Sequence, residues 1–148
     1  MEKKIVNRTV NYTDEVYVAK DGKEFASQRT CKMYEEDLER DECLARPDVL
    51  VNKKMNGVAP INAEYGGDDF GYLWVKALSE EAVQALKKAY EDGYGASHFE
   101  VGRWVCIETT DCYETYLYGE EEMMEITRLF FGDLGISVSF EYNGEDKE

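Results

Sequence analysis

The sequence predicts an α+β protein. A small N-terminal ββα unit precedes a ferredoxin-like β-α-β-β-α-β antiparallel sheet with two helices on one face. Two observations predict this class. Residues 72–141 alternate between stretches of strand period and stretches of helix period in that order. The 148 residues are 43% apolar, which is enough to fill a core although the formal net charge is −15.

The N-terminal unit is predicted from β-forming residues, a turn and a cap. Residues 5–10 and 15–19 predict two short strands. Asp21-Gly22 tolerates positive φ and predicts a tight turn after them, and Ser27 can cap the helix that follows. The predicted boundaries are 1–46 for the ββα module, 47–71 for a connector with a possible short strand at 48–51, 72–142 for the ferredoxin-like domain and 143–148 for a disordered tail.

The ferredoxin-like domain is predicted from six elements in chain order. They are a strand at 72–77, a helix capped by Ser79, a hairpin of strands 103–109 and 113–118, a helix at 120–132 and a strand at 136–141. Period-two alternation assigns each strand residue to one face of the sheet. The residues expected under the helices are Leu73, Val75, Val105, Ile107, Ile136, Val138 and Phe140.

The opposite face of the predicted sheet carries large aromatic side chains. They are Tyr72, Trp74, Trp104, Tyr116 and Tyr118. Such a face stacks bases in RNA-recognition domains, but residues 102–108 lack the glycine and aromatic pattern of that motif. Either the N-terminal module packs across this face, or a partner or small ligand binds there. A signalling nucleotide stacked on Tyr72, Trp74 and Trp104 is the ligand-binding alternative.

The sequence offers little chemistry for catalysis. The four cysteines form no C-x-x-C pair, so we expect them to be small core residues without a metal. The single histidine, His98, is expected to be an ordinary loop residue. The first residues form no apolar leader and no apolar run is long enough to span a membrane, which predicts a cytoplasmic protein with reduced thiols. We therefore expect no enzyme, no cofactor and no membrane partner.

The acidic charge is concentrated in the last third of the chain. Residues 101–148 contain 12 acids and 3 bases, a charge of −9, whereas each preceding block of fifty residues carries −3. Carboxylates on the hairpin and on the next helix are expected to converge with two tyrosines at one end of the domain. The predicted partner-binding residues are Glu108, Asp111, Glu114, Tyr116, Tyr118, Glu120, Glu121 and Glu122. This cluster is either a solvated surface or a patch that binds a basic groove and disfavours nucleic acid itself.

One short segment resembles a known group of proteins. Residues 16–25, followed by Cys31 and Tyr34-Glu35, resemble the N-terminal stretch of small accessory proteins of phages and mobile elements of Gram-positive bacteria. The resemblance implies a setting in which acidic anti-CRISPR and other anti-defence inhibitors are common. The sequence hypothesis is therefore a non-enzymatic inhibitor that imitates DNA and blocks the basic nucleic-acid-binding groove of a host nuclease, for example a CRISPR effector. The alternative is the sponge for a signalling nucleotide on the aromatic sheet face.

Overall fold

The structure is a computed structural model that describes residues 1–11, 13–63, 71–109 and 114–144. In these ranges the protein is α+β, with three α-helices and two antiparallel sheets of two and four strands. The predicted fold class is thereby confirmed. The chain forms two compact units, Met1–Asp37 and Leu38–Glu148. None of the helices in the described ranges combines the length and the apolar composition that a membrane crossing needs.

The first unit is a small hairpin followed by the first part of a helix, which ends beyond the unit boundary. Strands β1 (Tyr17–Val18) and β2 (Glu24–Phe25) pair antiparallel, and helix α1 covers Gln28–Leu44. The Thr30 N–H donates to Ser27 Oγ at 3.2 Å, which confirms the predicted helix cap.

The predicted strand at residues 5–10 is wrong, because the Asp21-Gly22 turn lies between β1 and β2 and not after a strand pair. Gly22 adopts φ +90° in this turn. The hairpin therefore consists of β1 and β2 alone, and residues 5–10 belong to no strand in the described chain.

After the last residues of α1, the second unit contains one sheet and two complete α-helices. Its elements are β3 (Val49–Val51), β4 (Gly71–Ala77), α2 (Glu80–Ala89), β5 (Trp104–Thr109), β6 (Thr115–Gly119) and α3 (Glu120–Asp133). The strands lie in the order β3-β4-β5-β6, each antiparallel to its neighbour. The split βαβ order places another strand between the two that a helix connects. Here β4 and β5, the two strands that α2 connects, pair directly with each other, so the ferredoxin-like order is not confirmed. The fourth strand of the sheet is β3, which corresponds to the possible short strand of the predicted connector.

Residues 136–141, predicted as the last strand, belong to no strand in the described chain. A Schellman motif reverses the chain at the end of α3. Gly135 has φ +77°, and the Ile136 N–H donates to the Phe131 carbonyl at 2.9 Å. Further on, Phe140 packs against the Arg128 guanidinium, and the Tyr142 hydroxyl reaches Glu120 at the start of α3. Segment 136–142 therefore runs back beside α3 instead of joining the sheet.

One face of the sheet packs against α2. The predicted alternation is confirmed for Val75, Val105 and Ile107, which are buried in the cluster that α2 completes, and for Leu73, which packs against it. It is wrong for Ile136, Val138 and Phe140, which lie in no strand and outside this cluster. The α2 side chains that enter this cluster are Ala82, Val83, Leu86 and Ala89. Ser79 Oγ caps α2 by accepting from the Ala82 N–H at 3.0 Å.

The other face of the sheet packs against α3, which corrects the prediction that both helices share one face. Tyr72, Trp74 and Cys106 are buried there with Met123 of α3. The physical reason is the direct connection of β6 to α3: Gly119 ends the strand and also caps the helix. The aromatic side chains supply the apolar surface on which Met123 packs.

Candidate functional site

Helix α3 leaves most of its apolar side chains in contact with solvent. Of its 14 residues only Glu120 and Met123 are buried. We call Ile126, Leu129, Phe130 and the capping Leu134 the α3 surface, and they are 43%, 61%, 63% and 62% exposed. Single exposed apolar residues are common on proteins, but a contiguous group on one helix indicates an interaction site.

A groove lies along one flank of the α3 surface. Its volume is about 310 Å³, and its walls are formed by Ile61, Ile126, Thr127, Phe130 and Phe131. The rings of Phe130 and Phe131 meet edge to face with centroids 5.3 Å apart. Thr127 offers the groove little polarity, because its hydroxyl already donates to the Met123 carbonyl at 2.7 Å. The groove therefore suits an apolar side chain of a partner.

Carboxylates border the α3 surface. The helix contains five acids, Glu120, Glu121, Glu122, Glu125 and Asp133, and one base, Arg128, a balance of −4. The Glu121, Glu122 and Glu125 side chains are 72%, 51% and 60% exposed, and each lies within ion-pair distance of Arg103, His98 or Arg128. Exposed pairs of this kind contribute little to stability and exchange partners readily. The rim therefore remains negative towards an approaching protein.

Glu108, a member of the predicted acid cluster, is buried and 2% exposed. It lies on β5 between Tyr72 of β4 and Tyr116 of β6. Burial raises the pKa of its carboxyl, and the hydrogen bond from the Tyr118 hydroxyl opposes that rise. Its Oε2 atom has no hydrogen-bond partner within the described ranges. This carboxyl cannot present charge to a partner protein.

Glu120, also in the predicted cluster, is 7% exposed and organises the start of α3. One carboxylate oxygen accepts from the Trp104 N–H at 3.0 Å, and the other accepts from Arg103 Nη1 at 2.9 Å and from the Tyr142 hydroxyl. These bonds raise the pKa of the Arg103 guanidinium and, chiefly through Glu120, the pKa of Tyr142. Glu120 therefore joins β5, α3 and segment 136–142.

The remaining predicted residues do not converge at one end of the domain. Glu114 is exposed and accepts from the Tyr116 hydroxyl at 2.8 Å, at the start of β6. Glu121 and Glu122 follow the other end of that strand. The five residues of β6 separate them by about 17 Å at strand rise. Asp111 lies outside the described residues.

The predicted aromatic platform is covered inside the second unit. Tyr72 and Trp74 are 6% and 7% exposed, and the Trp74 indole N–H donates to the Val58 carbonyl at 2.9 Å. Met123 of α3 and Met55 pack on the same cluster. Trp104 is less buried and has Lys76 Nζ 4.6 Å from its ring centroid. A stacked nucleotide would have to displace α3 from Tyr72 and Trp74.

His98 is more closely enclosed than a loop position suggests. A Cβ atom at Gly119 would lie 2.7 Å from its Nδ1 atom, and one at Gly95 would lie 2.9 Å from its Cδ2 atom. Its Nε2 atom is 3.2 Å from Glu122. The cleft beside it, bordered by Arg103, has a volume of about 50 Å³, room for one or two waters. The sequence clue to this packing was the position of two glycines, Gly95 just before the His98 loop and Gly119 just before α3.

The described cysteines are inert core residues, as predicted. Cys31, Cys43 and Cys106 are buried free thiols. Burial, with a smaller contribution from Glu108, raises the pKa of Cys106 to about 12. A thiol with this pKa is almost fully protonated at neutral pH and is a poor nucleophile. Cys112 lies outside the described residues.

Fold and surface together define a small α+β protein whose helix α3 presents apolar side chains within a rim of carboxylates. Comparison of the chain with protein-family models, with curated proteins and with solved structures finds no match.

Proposed function

We propose that this protein binds another protein through the α3 surface and acts as a non-enzymatic inhibitor of it. The partner has an apolar contact area bordered by lysine and arginine side chains. This partner is a host nuclease, such as a CRISPR effector, and the protein blocks its basic nucleic-acid-binding groove. The observation that carries the proposal is the exposure of four large apolar side chains beside exposed carboxylates on one helix.

The apolar contribution of the α3 surface is moderate. Complete burial of an Ile, Leu or Phe side chain stabilises by roughly 1.5–3 kcal/mol. The four side chains are 43–63% exposed, so a partner gains about half of that from each, on the order of 3–6 kcal/mol in all. The lost translational and rotational freedom costs about 4–15 kcal/mol. Apolar burial alone therefore does not give stable binding.

Charge supplies the other part of the affinity. The chain carries −15, and residues 101–148 carry −9 of it. A basic partner is attracted over about a Debye length, which speeds association and favours it over neutral or acidic proteins. The carboxylates that contribute in this proposal are Glu121, Glu122 and Glu125, because Glu108 and Glu120 are buried. This combination fits a groove that binds phosphates and also has apolar walls.

The test uses a purified RNA-guided DNA nuclease from a Gram-positive host, with inhibition of DNA cleavage and direct binding as the two measurements. The double variant Leu129→Ser with Phe130→Ser is expected to weaken binding and inhibition at least about tenfold, since each substitution forfeits about 1 kcal/mol of burial. Leu78→Ser is the matched control, because Leu78 is 47% exposed and lies outside α3.

The contribution of charge to binding is tested by comparing two pairs of acidic residues, each in the first turn of a helix. Replacing Glu121 and Glu122 by Gln is expected to slow association and flatten its salt dependence, whereas the same change at Glu80 and Glu81 of α2 leaves both nearly unchanged. Equal effects of both pairs would remove the α3 surface from the proposal. Absence of inhibition across a panel of such nucleases would remove the nuclease as the partner.

A further inference from the structure

Segment 136–142 has the pattern of a strand but no strand partner. Ile136, Val138, Phe140 and Tyr142 alternate with Ser137, Ser139 and Glu141, without proline or glycine. In the described chain, the only backbone-to-backbone hydrogen bond of this segment is the one from the Ile136 N–H to Phe131. Such a row of unused donors and acceptors is a template for pairing with another strand.

Both ends of the segment are held in place. The Schellman motif fixes Ile136, and the Tyr142 hydroxyl bonds Glu120 and accepts from Arg103 Nη1 at 2.7 Å. Between these ends, the Phe140 ring centroid lies 5.0 Å from the Arg128 guanidinium carbon. A segment that is already ordered loses less conformational entropy when it pairs. The segment is therefore prepared for pairing in the isolated protein.

We propose that segment 136–142 pairs antiparallel with the same segment of a second copy and forms a two-fold symmetric dimer. The proposed register centres on Ser139 and places Ile136 opposite Tyr142, Ser137 opposite Glu141, Val138 opposite Phe140 and Ser139 opposite its own copy.

The occupant is a second copy because the segment is complementary to itself. The register pairs apolar with apolar side chains, including the favourable aromatic and β-branched pair of Phe140 and Val138. The single charged residue, Glu141, lies opposite a serine, so no like charges meet directly. A register with its two-fold axis at Ser139 pairs all seven residues of the segment. A register with its axis at Val138 would also have to pair Leu134 and Gly135, which belong to the helix cap. Self-complementarity of this kind defines an isologous interface.

The edge that pairs follows from the Schellman bond. In an extended segment, successive N–H groups point to opposite edges. The Ile136 N–H points towards α3. With the segment extended, as the proposed pairing requires, the N–H groups of Ser137, Ser139 and Glu141 point towards the other, open edge. Ser139 and its copy then form a hydrogen-bonded pair with Cα atoms about 5.5 Å apart, a separation that a disulfide spans. Ser137 and its own copy lie about 14 Å apart, which no disulfide spans.

Net charge opposes this dimer and gives it a diagnostic salt response. Each copy carries −15, so the two repel over a Debye length. Added salt screens this repulsion and is expected to strengthen the dimer. The same salt weakens binding of a basic partner through the α3 surface, so the two associations respond in opposite directions.

The test is mild oxidation of the full chain carrying Ser139→Cys, with Ser137→Cys as the matched control and the unaltered chain as background for the existing cysteines. Ser139→Cys is expected to give at least tenfold more disulfide-linked dimer than Ser137→Cys. Sedimentation velocity between 10 and 500 µM protein at two salt concentrations is expected to show a dimer that increases with both. Ser139→Pro removes one N–H from the paired edge and is expected to weaken that dimer at least tenfold.

Two results would overturn the proposal. One is a sedimentation coefficient of a monomer over the whole concentration range in high salt. The other is equal cross-linking at positions 137 and 139, which would indicate random collision. If the Pro variant loses its native circular dichroism spectrum, Ser139→Lys replaces it, because two lysines opposite each other at the two-fold axis repel without removing an N–H.

Discussion

The two faces of the four-stranded sheet are covered to different extents. On one face α2 buries four side chains, Ala82, Val83, Leu86 and Ala89, in a closed cluster. On the other face α3 contributes Met123 as its only buried apolar side chain and leaves large apolar residues beyond it in solvent. Both helices have apolar residues at helical spacing, so spacing alone does not distinguish a helix that fills a core from a helix that awaits a partner.

Substitutions at the centre of each helix are expected to show the largest difference in stability between α2 and α3. Leu86→Ala on α2 is expected to lower the free energy of unfolding by about 2–5 kcal/mol, because Leu86 is fully buried and leaves a cavity. Leu129→Ala on α3 is expected to change it by less than about 0.5 kcal/mol. Urea denaturation followed by circular dichroism measures both. Similar losses would mean that the α3 surface is folded into the protein in solution.

Two glycines of the α3 region also differ in packing, because Gly119 lies against His98 whereas Gly132 has open space around it. Gly119→Ala places a Cβ atom 2.7 Å from His98 Nδ1 and is expected to destabilise by about 1–3 kcal/mol. Gly132→Ala has no atom within 4 Å of its Cβ and is expected to stabilise α3 by about 0.5–1 kcal/mol. Thermal unfolding of the two variants under one condition decides the signs. A stable Gly119→Ala protein would show that His98 does not occupy this position.

The smallest effect is expected at Glu108, which is buried on the central strand β5. Its folded-state pKa is raised by burial, so its contribution to stability is complete below the unfolded pKa of about 4.3 and decreases as the pH rises through the folded pKa. Glu108→Gln is therefore expected to be more stable than the parent protein at pH 8, with the difference lost at low pH. The effect is modest because glutamine also keeps one buried polar atom. Unfolding free energies measured from pH 4 to 8 test the sign, and a parent protein more stable at every pH would contradict it.

Local patterns in the sequence predicted much of the second unit. The Ser79 cap and the α2 face were correct, and period two placed Val75 and Val105 on one side of the sheet and Tyr72 and Trp74 on the other. Strand order and the face chosen by α3 were not predictable in this way, because they depend on contacts between distant residues. Segment 136–142 shows the limit most clearly: its alternation is that of a strand, but a glycine turn and Tyr142 hold it beside a helix.

The candidate site was predicted only in part for a related reason. Glu121 and Glu122 are exposed as expected. Glu108 is buried on β5 between β4 and β6, and Glu120 is buried where it contacts Arg103 and Tyr142. A charged residue is expected to face solvent unless tertiary contacts, which local sequence does not show, pair it or bury it. The exposed apolar residues of α3 were not predicted as part of the site, because nothing local distinguishes apolar residues that fill a core from apolar residues that face solvent.

The strand order has a consequence for how the protein folds. Each strand of the sheet pairs with its neighbour along the chain, and the connection between β5 and β6 is the shortest. The sheet can therefore grow from that hairpin by adding β4 and then β3, without inserting a strand between two that are already paired. Such a route keeps loop-closure entropy small at every step and favours rapid folding. It also leaves the three residues of β3 as the last to join and the first to fray.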